Sequence, residues 1–238
     1  NDGRNFMLRD LKIQTLTGNL KLKALGLDSF GYGNLSLIDR DSGLIVARPF
    51  GKACDSLSMD DMLVFDLMGN LVDGVGRPTE DLPVHLELYR SFADLDAIAM
   101  TRSAYATAFA QAGRDIPFYG ALHSDFFGGD IPCVRRLTEE DFDDYLRNIA
   151  RSITEEIASF TPEVMPAVLV PSHGAFVFGR NADDVITNAD ALEETARIAF
   201  LTEMLNPDAE QPSFRLMEKR FYDRRGQTTH PGEENSER

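Results

Sequence analysis

Apolar and polar residues alternate along Gly33-Asn34-Leu35-Ser36-Leu37-Ile38-Asp39, a period-two pattern that predicts a half-buried strand. Asp41-Ser42-Gly43 supplies turn residues, and Leu44-Ile45-Val46-Ala47-Arg48 predicts the returning strand of a hairpin. Met62 to Asp66, the turn Met68-Gly69-Asn70 and Leu71-Val72 repeat the device, so an antiparallel meander is expected. Elsewhere the period becomes helical. Leu11 to Leu25 predicts an N-terminal helix, and Pro83 at a first turn, followed by Leu86, Tyr89 and Phe92 at spacings of three, predicts another. Thr138 with Asp141 three residues on reads as a capping box that opens a helix to about Phe160. Val185, Ala189, Leu192, Ala196, Ala199 and Phe200 describe a long helix with one buried stripe, ending near Pro207. Ala97 to Met100 reads as a buried strand. Pro166 to Gly179 reads as strand, tight turn, strand, with His173 at the turn Pro171-Ser172-His173-Gly174, where a site is well placed.

Neither a repeat nor a linker interrupts residues 7 to 225, so 1–225 is expected to form one layered α/β domain followed by a flexible tail, 226–238. With 43% hydrophobic residues and 16 Phe in 238, the chain can fill one sizeable core. The net charge of -15 opposes binding to a phosphate backbone or an anionic membrane, so neither nucleic acid nor membrane is an expected partner. Nor does any apolar run approach the roughly 20 residues of a membrane span, and Asn1 to Asn5 carry no signal-peptide run, so a soluble cytoplasmic protein is expected. Cys54 and Cys133 match no metal-ligand spacing and read as buried thiols. The Ser172-His173 pair lacks a Gly-x-Ser-x-Gly elbow, which argues against a hydrolase. The acidic runs at 139–144 and 183–184 open helices, where the dipole favours negative charge without any ligand.

Six ordered blocks carry a resemblance: Gly33-Asn34-Leu35-Ser36, Arg48-Pro49-Phe50-Gly51, Arg77 to His85, Gly120 to Phe127, Ile131-Pro132-Cys133 and Ser172-His173-Gly174. In this order they resemble the class II aldolase/adducin family, most nearly its L-ribulose-5-phosphate 4-epimerase branch, from about Phe6 to Arg225. The resemblance implies a single three-layer α/β/α domain with a mostly antiparallel central sheet. It also implies a cyclic homotetramer with active sites between subunits. In such enzymes a divalent metal, usually zinc, stabilises an enediolate or carbanion, and the epimerase works by retro-aldol chemistry. Its ligands are chiefly three histidines, two in a His-x-His strand motif and one in the Ser-His-Gly turn.

Here the matching His-x-His positions are Met100 and Arg102, leaving His173 with a possible carboxylate at Asp81. One imidazole and one carboxylate should bind a metal poorly, and a guanidinium places a fixed positive charge where the cation would sit, so no cofactor is expected. The phosphate cradle changes as well: Phe50 precedes Gly51, and Glu80 follows Thr79 where a second serine is expected, so a phosphorylated substrate is disfavoured. Arg48, Arg102 and Arg220 could surround the pocket and receive a carboxylate, or each could pair with a neighbour such as Asp81 or Glu80. By the resemblance Asn34 contacts substrate, Asp125 is an acid or base with His123 beside it, and Arg220 replaces a supporting histidine. A tyrosine expected near the C-terminus is replaced by the stretch Thr229-His230-Pro231.

Two readings follow. The first is an enzyme with metal-independent lyase, isomerase, dehydratase or cyclisation chemistry on a small carbonyl or carboxylate substrate. Arg102 stands in for the metal, Asp125 and His123 act as acid and base with His173, and Asn34, Arg48, Gly51, Thr79, Glu80, Asp81 and Arg220 line the binding site. The alternative is a catalytically silent member serving as a structural or binding subunit.

Overall fold

The computed structural model describes residues 2–158 and 160–226, with side chains from Phe6 onward. The expected tail, including Thr229, His230 and Pro231, lies from residue 227 outside the described residues.

Seven strands form one sheet: β1 (Asn34–Asp39), β2 (Leu44–Ala47), β3 (Leu63–Asp66), β4 (Leu71–Asp73), β5 (Ala97–Thr101), β6 (Ala167–Val170) and β7 (Gly174–Gly179). Their order is β4-β3-β2-β1-β5-β7-β6, and every strand pair is antiparallel. The alternation predicts a half-buried β1, but the strand is buried on both faces, because helices cover both sides of the sheet and the Ser36 hydroxyl finds partners in His85 and Tyr89. Leu35, Leu37, Ala97, Ala99, Leu169, Ala175 and Val177 belong to one core, while Ile38, Ile98, Met100, Val168, Phe176 and Phe178 belong to the other.

Helices α1 (Asp2–Ala24), α3 (Ala104–Ala112) and α6 (Ala182–Leu205) cover the first face, where small sheet residues admit close approach. A Cβ at Gly179 would lie 2.6 Å from the Val185 nitrogen of α6, so that junction requires glycine. Helices α2 (Leu82–Ser91) and α5 (Tyr145–Ile157) supply the second core through Val84, Leu88, Ile149 and Ile153. Two short helices, α4 (Ala121–Phe126) and α7 (Phe214–Arg224), pack on each other. Three helices, α3, α4 and α7, have no counterpart in the sequence pattern.

The single antiparallel α/β/α domain agrees with expectation, and four local readings are refined. Helix α1 begins nine residues earlier than the periodicity indicated. The Thr138–Asp141 capping box forms, but it opens a 3-10 turn, Glu139–Asp144, before α5 begins. Phe200 leaves the buried stripe of α6 for solvent, because 3.6-residue periodicity carries it off the face shared by Ala189 and Ala196. Cys54 is buried and Cys133 half-buried, both unbridged.

Candidate active site

Antiparallel pairing brings the start of β1, the end of β5 and the start of β7 to one end of the sheet, with Asn34 opposite Met100 and Met100 opposite Phe176. The chemistry gathers there. Ser172 adopts a φ of 61°, rare for a residue with a side chain, and the turn it makes delivers His173. Asp81 stands at the N-terminal boundary of α2 on the other side without bonding the helix amides through its side chain, and its Oδ1 lies 2.7 Å from His173 Nε2. Asn34 Nδ2 donates to Asp81 Oδ2 over 3.1 Å. The Tyr145 hydroxyl at the start of α5 sits 3.1 Å from His173 Nδ1, and the imidazole stacks on Phe176 with centroids 5.8 Å apart.

Burial drives the Asp81 carboxyl upward, but the hydrogen bond and charge of His173, helped by His85 and Asn34, outweigh it and hold the carboxyl below its ordinary range. Arg102 completes the group. Its guanidinium lies 4.8 Å from the centre of the Tyr32 ring, its Nε is buried without a partner, and among the described residues no carboxylate pairs with it. Its charge opposes the burial that raises the Tyr145 phenol.

Several expected site residues do other work. Arg48 is not available to an anion: it is buried, with Nη1 3.3 Å from Asp28 Oδ2 and 3.2 Å from the Gly33 carbonyl, and Nη2 3.1 Å from that of Gly31. Its partner is therefore Asp28, not Asp81 or Glu80. Gly51, at a φ of 82°, forms the turn beside exposed Phe50, whose ring lies under Arg77 at 4.4 Å. Thr79 is buried and Glu80 exposed, so only Asp81 of that run reaches the site.

Asp125 and His123 do not form an acid-base pair. His123 is buried against Phe118 and Phe127, with Nε2 2.7 Å from the Gly129 carbonyl, and burial lowers its pKa. Asp125 instead accepts two hydrogen bonds from Arg220, each 3.2 Å, with Arg224 3.6 Å away. It lines a cavity of about 750 Å3 with Leu95, Phe178 and Gly179, at the end of the sheet opposite His173. Within one chain the three arginines therefore do not converge: Arg48 is structural, Arg220 is remote and Arg102 alone faces the site.

The metal implied by the resemblance does not fit these residues. Met100 is fully buried in the core, Arg102 is cationic, and both nitrogens of His173 already have partners. Among the described residues no group of three or more His, Cys, Asp or Glu could hold a metal ion.

Sequence reading missed Tyr145 and the buried polar group behind Asp81. There His85 Nδ1 lies 2.8 Å from the Ser36 hydroxyl, which also meets the Tyr89 hydroxyl at 2.9 Å. Burial lowers His85 to about 4 despite the opposing charge of Asp81. Between that value and 6.5 the unfolded chain binds a proton that the folded chain does not, so stability rises with pH through this window and is lost as pH falls. We expect a loss of about 3 kcal/mol from pH 6.5 to 4 at about 1.4 kcal/mol per pKa unit. Urea unfolding across that range should show the slope flatten in His85→Gln, and an unchanged slope would assign the effect to other groups.

The model of the Class II Aldolase and Adducin N-terminal domain matches residues 15–200. A solved structure described as L-fuculose 1-phosphate aldolase is 25% identical, with a TM-score of 0.77, covering 90% of this chain and 95% of its own. YgbL from Escherichia coli is 22% identical with a TM-score of 0.72, over 90% and 99% of the two chains. The L-fuculose-1-phosphate aldolase of Thermus thermophilus is 20% identical with a TM-score of 0.68, over 85% and 100%. The two under 25% identity bear on the fold alone. No helix among the described residues is long and apolar enough to cross a membrane.

Proposed function

Because the chain belongs to the class II aldolase and adducin family, we propose that it is a cytoplasmic, homotetrameric lyase- or isomerase-type enzyme acting on a small carbonyl or carboxylate substrate without a metal. The observation that carries the reading is Arg102. It is a half-buried cation with no carboxylate partner among the described residues, beside the Asp81–His173 pair. Leaving such a charge unpaired is costly, which favours a site kept for an anionic oxygen. A guanidinium can bind a carboxylate through two hydrogen bonds, or stabilise an oxyanion that develops on a carbonyl as an adjacent bond breaks. Asp81 fixes the orientation of His173 and would stabilise the imidazolium if it takes up a proton. Asn34 in turn holds Asp81.

Thermal unfolding with a panel of 2-oxo and 2-hydroxy acids tests this. At 100 times its dissociation constant a ligand adds about 2.7 kcal/mol of stability, which in a domain this size is a rise of roughly 5–10 °C. The rise should vanish in Arg102→Gln. Protection that survives Arg102→Gln, or close to one equivalent of zinc per chain in protein purified without chelator, would overturn the reading. The silent-subunit alternative draws on the enclosure of His123 and the pairing of Asp125 with Arg220, and it expects no acid to protect the wild type at all.

A further inference from the structure

We propose that Tyr145 is the catalytic residue that exchanges a proton with substrate, and that His173 and Asp81 act behind it as its relay. The inference rests on Arg102 being the anchor for the substrate anion. His173 Nε2 is 2.7 Å from a carboxylate, which only accepts, so the ring's proton sits on Nε2. When the ring is neutral, Nδ1 carries a lone pair to which the Tyr145 hydroxyl, 3.1 Å away, can donate. Both nitrogens are occupied, one face of the ring is stacked on Phe176, and the residue is buried. His173 therefore has no free atom for a substrate. The phenol oxygen does: Tyr145 is half-buried, and its oxygen keeps acceptor capacity after its proton is given to Nδ1.

The arrangement has the logic of an acid, an imidazole and a hydroxyl in series, with phenol as the outermost member. In the forward step a C–H bond next to the substrate carbonyl breaks and an O–H bond forms on Tyr145 Oη. The phenol's own proton moves to His173 Nδ1, and the imidazolium stays paired with Asp81. The electron pair of the broken bond moves onto the carbonyl oxygen, where Arg102 faces it. No redox partner is needed, and reversal returns a proton to carbon. Burial raises the Tyr145 phenol, which keeps it protonated and donating in the resting site, and the Arg102 charge opposes that rise. Tyr145 also stacks on Phe142, centroids 5.5 Å apart with ring planes 4° from parallel, which holds its ring in place.

The experiment uses pyruvate as probe, reading binding by thermal shift and exchange of its methyl protons in D2O by proton NMR. The expected result is protection and exchange by the wild type, with exchange reduced about 10²–10⁴-fold in Tyr145→Phe at undiminished protection. His173→Gln, which can still hydrogen-bond both neighbours but cannot take up a proton at neutral pH, should lose exchange in the same way. Exchange at the wild-type rate in Tyr145→Phe would overturn the assignment and leave the Arg102 anchor standing, as would binding without exchange in the wild type. Pyruvate that neither binds nor exchanges would overturn the anchor and this inference with it.

Discussion

Replacing Asp28 with alanine is expected to destabilise the protein by about 3–5 kcal/mol, the cost of leaving a buried guanidinium without its counterion. Asp28 and Arg48 have side chains that are 2% and 3% exposed, so water can solvate neither when its partner is removed. The remaining Arg48 bonds go to the carbonyls of Gly31 and Gly33, which orient the group but carry no full charge. The Asp28 carboxylate also accepts from the Gly33 amide at 2.7 Å, tying down the loop that leads from Tyr32 into Asn34. Loss of Asp28 should therefore loosen Tyr32 under Arg102 as well as the core. Removing both charges is much milder: Asp28→Ala with Arg48→Met should recover most of the stability, because the desolvated charge goes too. Urea unfolding of the single and double variants decides it, and a single-variant cost below about 1 kcal/mol would show that water enters the site.

Gly174→Ala carries the second large expectation, a loss of at least about 3 kcal/mol together with the disordering of His173. Its φ of 146° lies where an L side chain is strained, worth about 1–3 kcal/mol. An added Cβ would also fall 2.5 Å from the Thr101 carbonyl oxygen and 3.2 Å from Arg102 Cγ. The carbonyl belongs to β5, which pairs with β7 through Thr101 and Ala175, so it cannot retreat without breaking the ladder. Overpacking of this kind adds about 1–3 kcal/mol. Ser172→Gly is the informative control: its φ of 61° favours glycine, so that change should hold or raise the melting temperature. A Gly174→Ala protein with wild-type stability would mean that the turn moves freely and does not set the position of His173.

Much of the fold was legible because its signals are local. Leu35 and Leu37 alternate with Ser36 and Ile38 whatever lies across the sheet, and the Thr138 amide donates to the Asp141 carboxylate only three residues away. The helices that went unread have weaker local marks. Ala104–Ala112 has alanine at every second position and little polar contrast, and Ala121–Phe126 is only six residues long. Phe214–Arg224 buries only Met217 and Phe221, too few positions to establish a period.

The candidate site divides in the same way. Asn34, Asp81, Arg102 and His173 were visible as residue types in recognisable blocks, and the loss of a second and third imidazole needed no coordinates to see. Whether they meet depended on pairing across the sheet. His173 and Asp81 are 92 residues apart, Arg48 and Asp28 are 20 apart, and Arg220 and Asp125 are 95 apart. Asp125 and His123 sit two positions apart on one short helix, which turns roughly 100° per residue and so points them to different surroundings. Adjacency in sequence suggested a pair that helix geometry forbids. Tyr145 had no local signal at all, since its hydroxyl reaches Nδ1 only because α5 packs against the sheet beside the β6–β7 turn.

By itself, then, the sequence determined the strands and the longer helices, the antiparallel meander, the family and the replacement of a metal-ligand pair by methionine and arginine, all of which depend on short-range spacing or residue identity. Tertiary structure alone decided which charges are spent on each other and which remains for a ligand. Those outcomes turn on contacts between distant segments in a desolvated interior, where a carboxylate a few ångströms nearer or farther decides whether an arginine holds the fold together or faces a substrate.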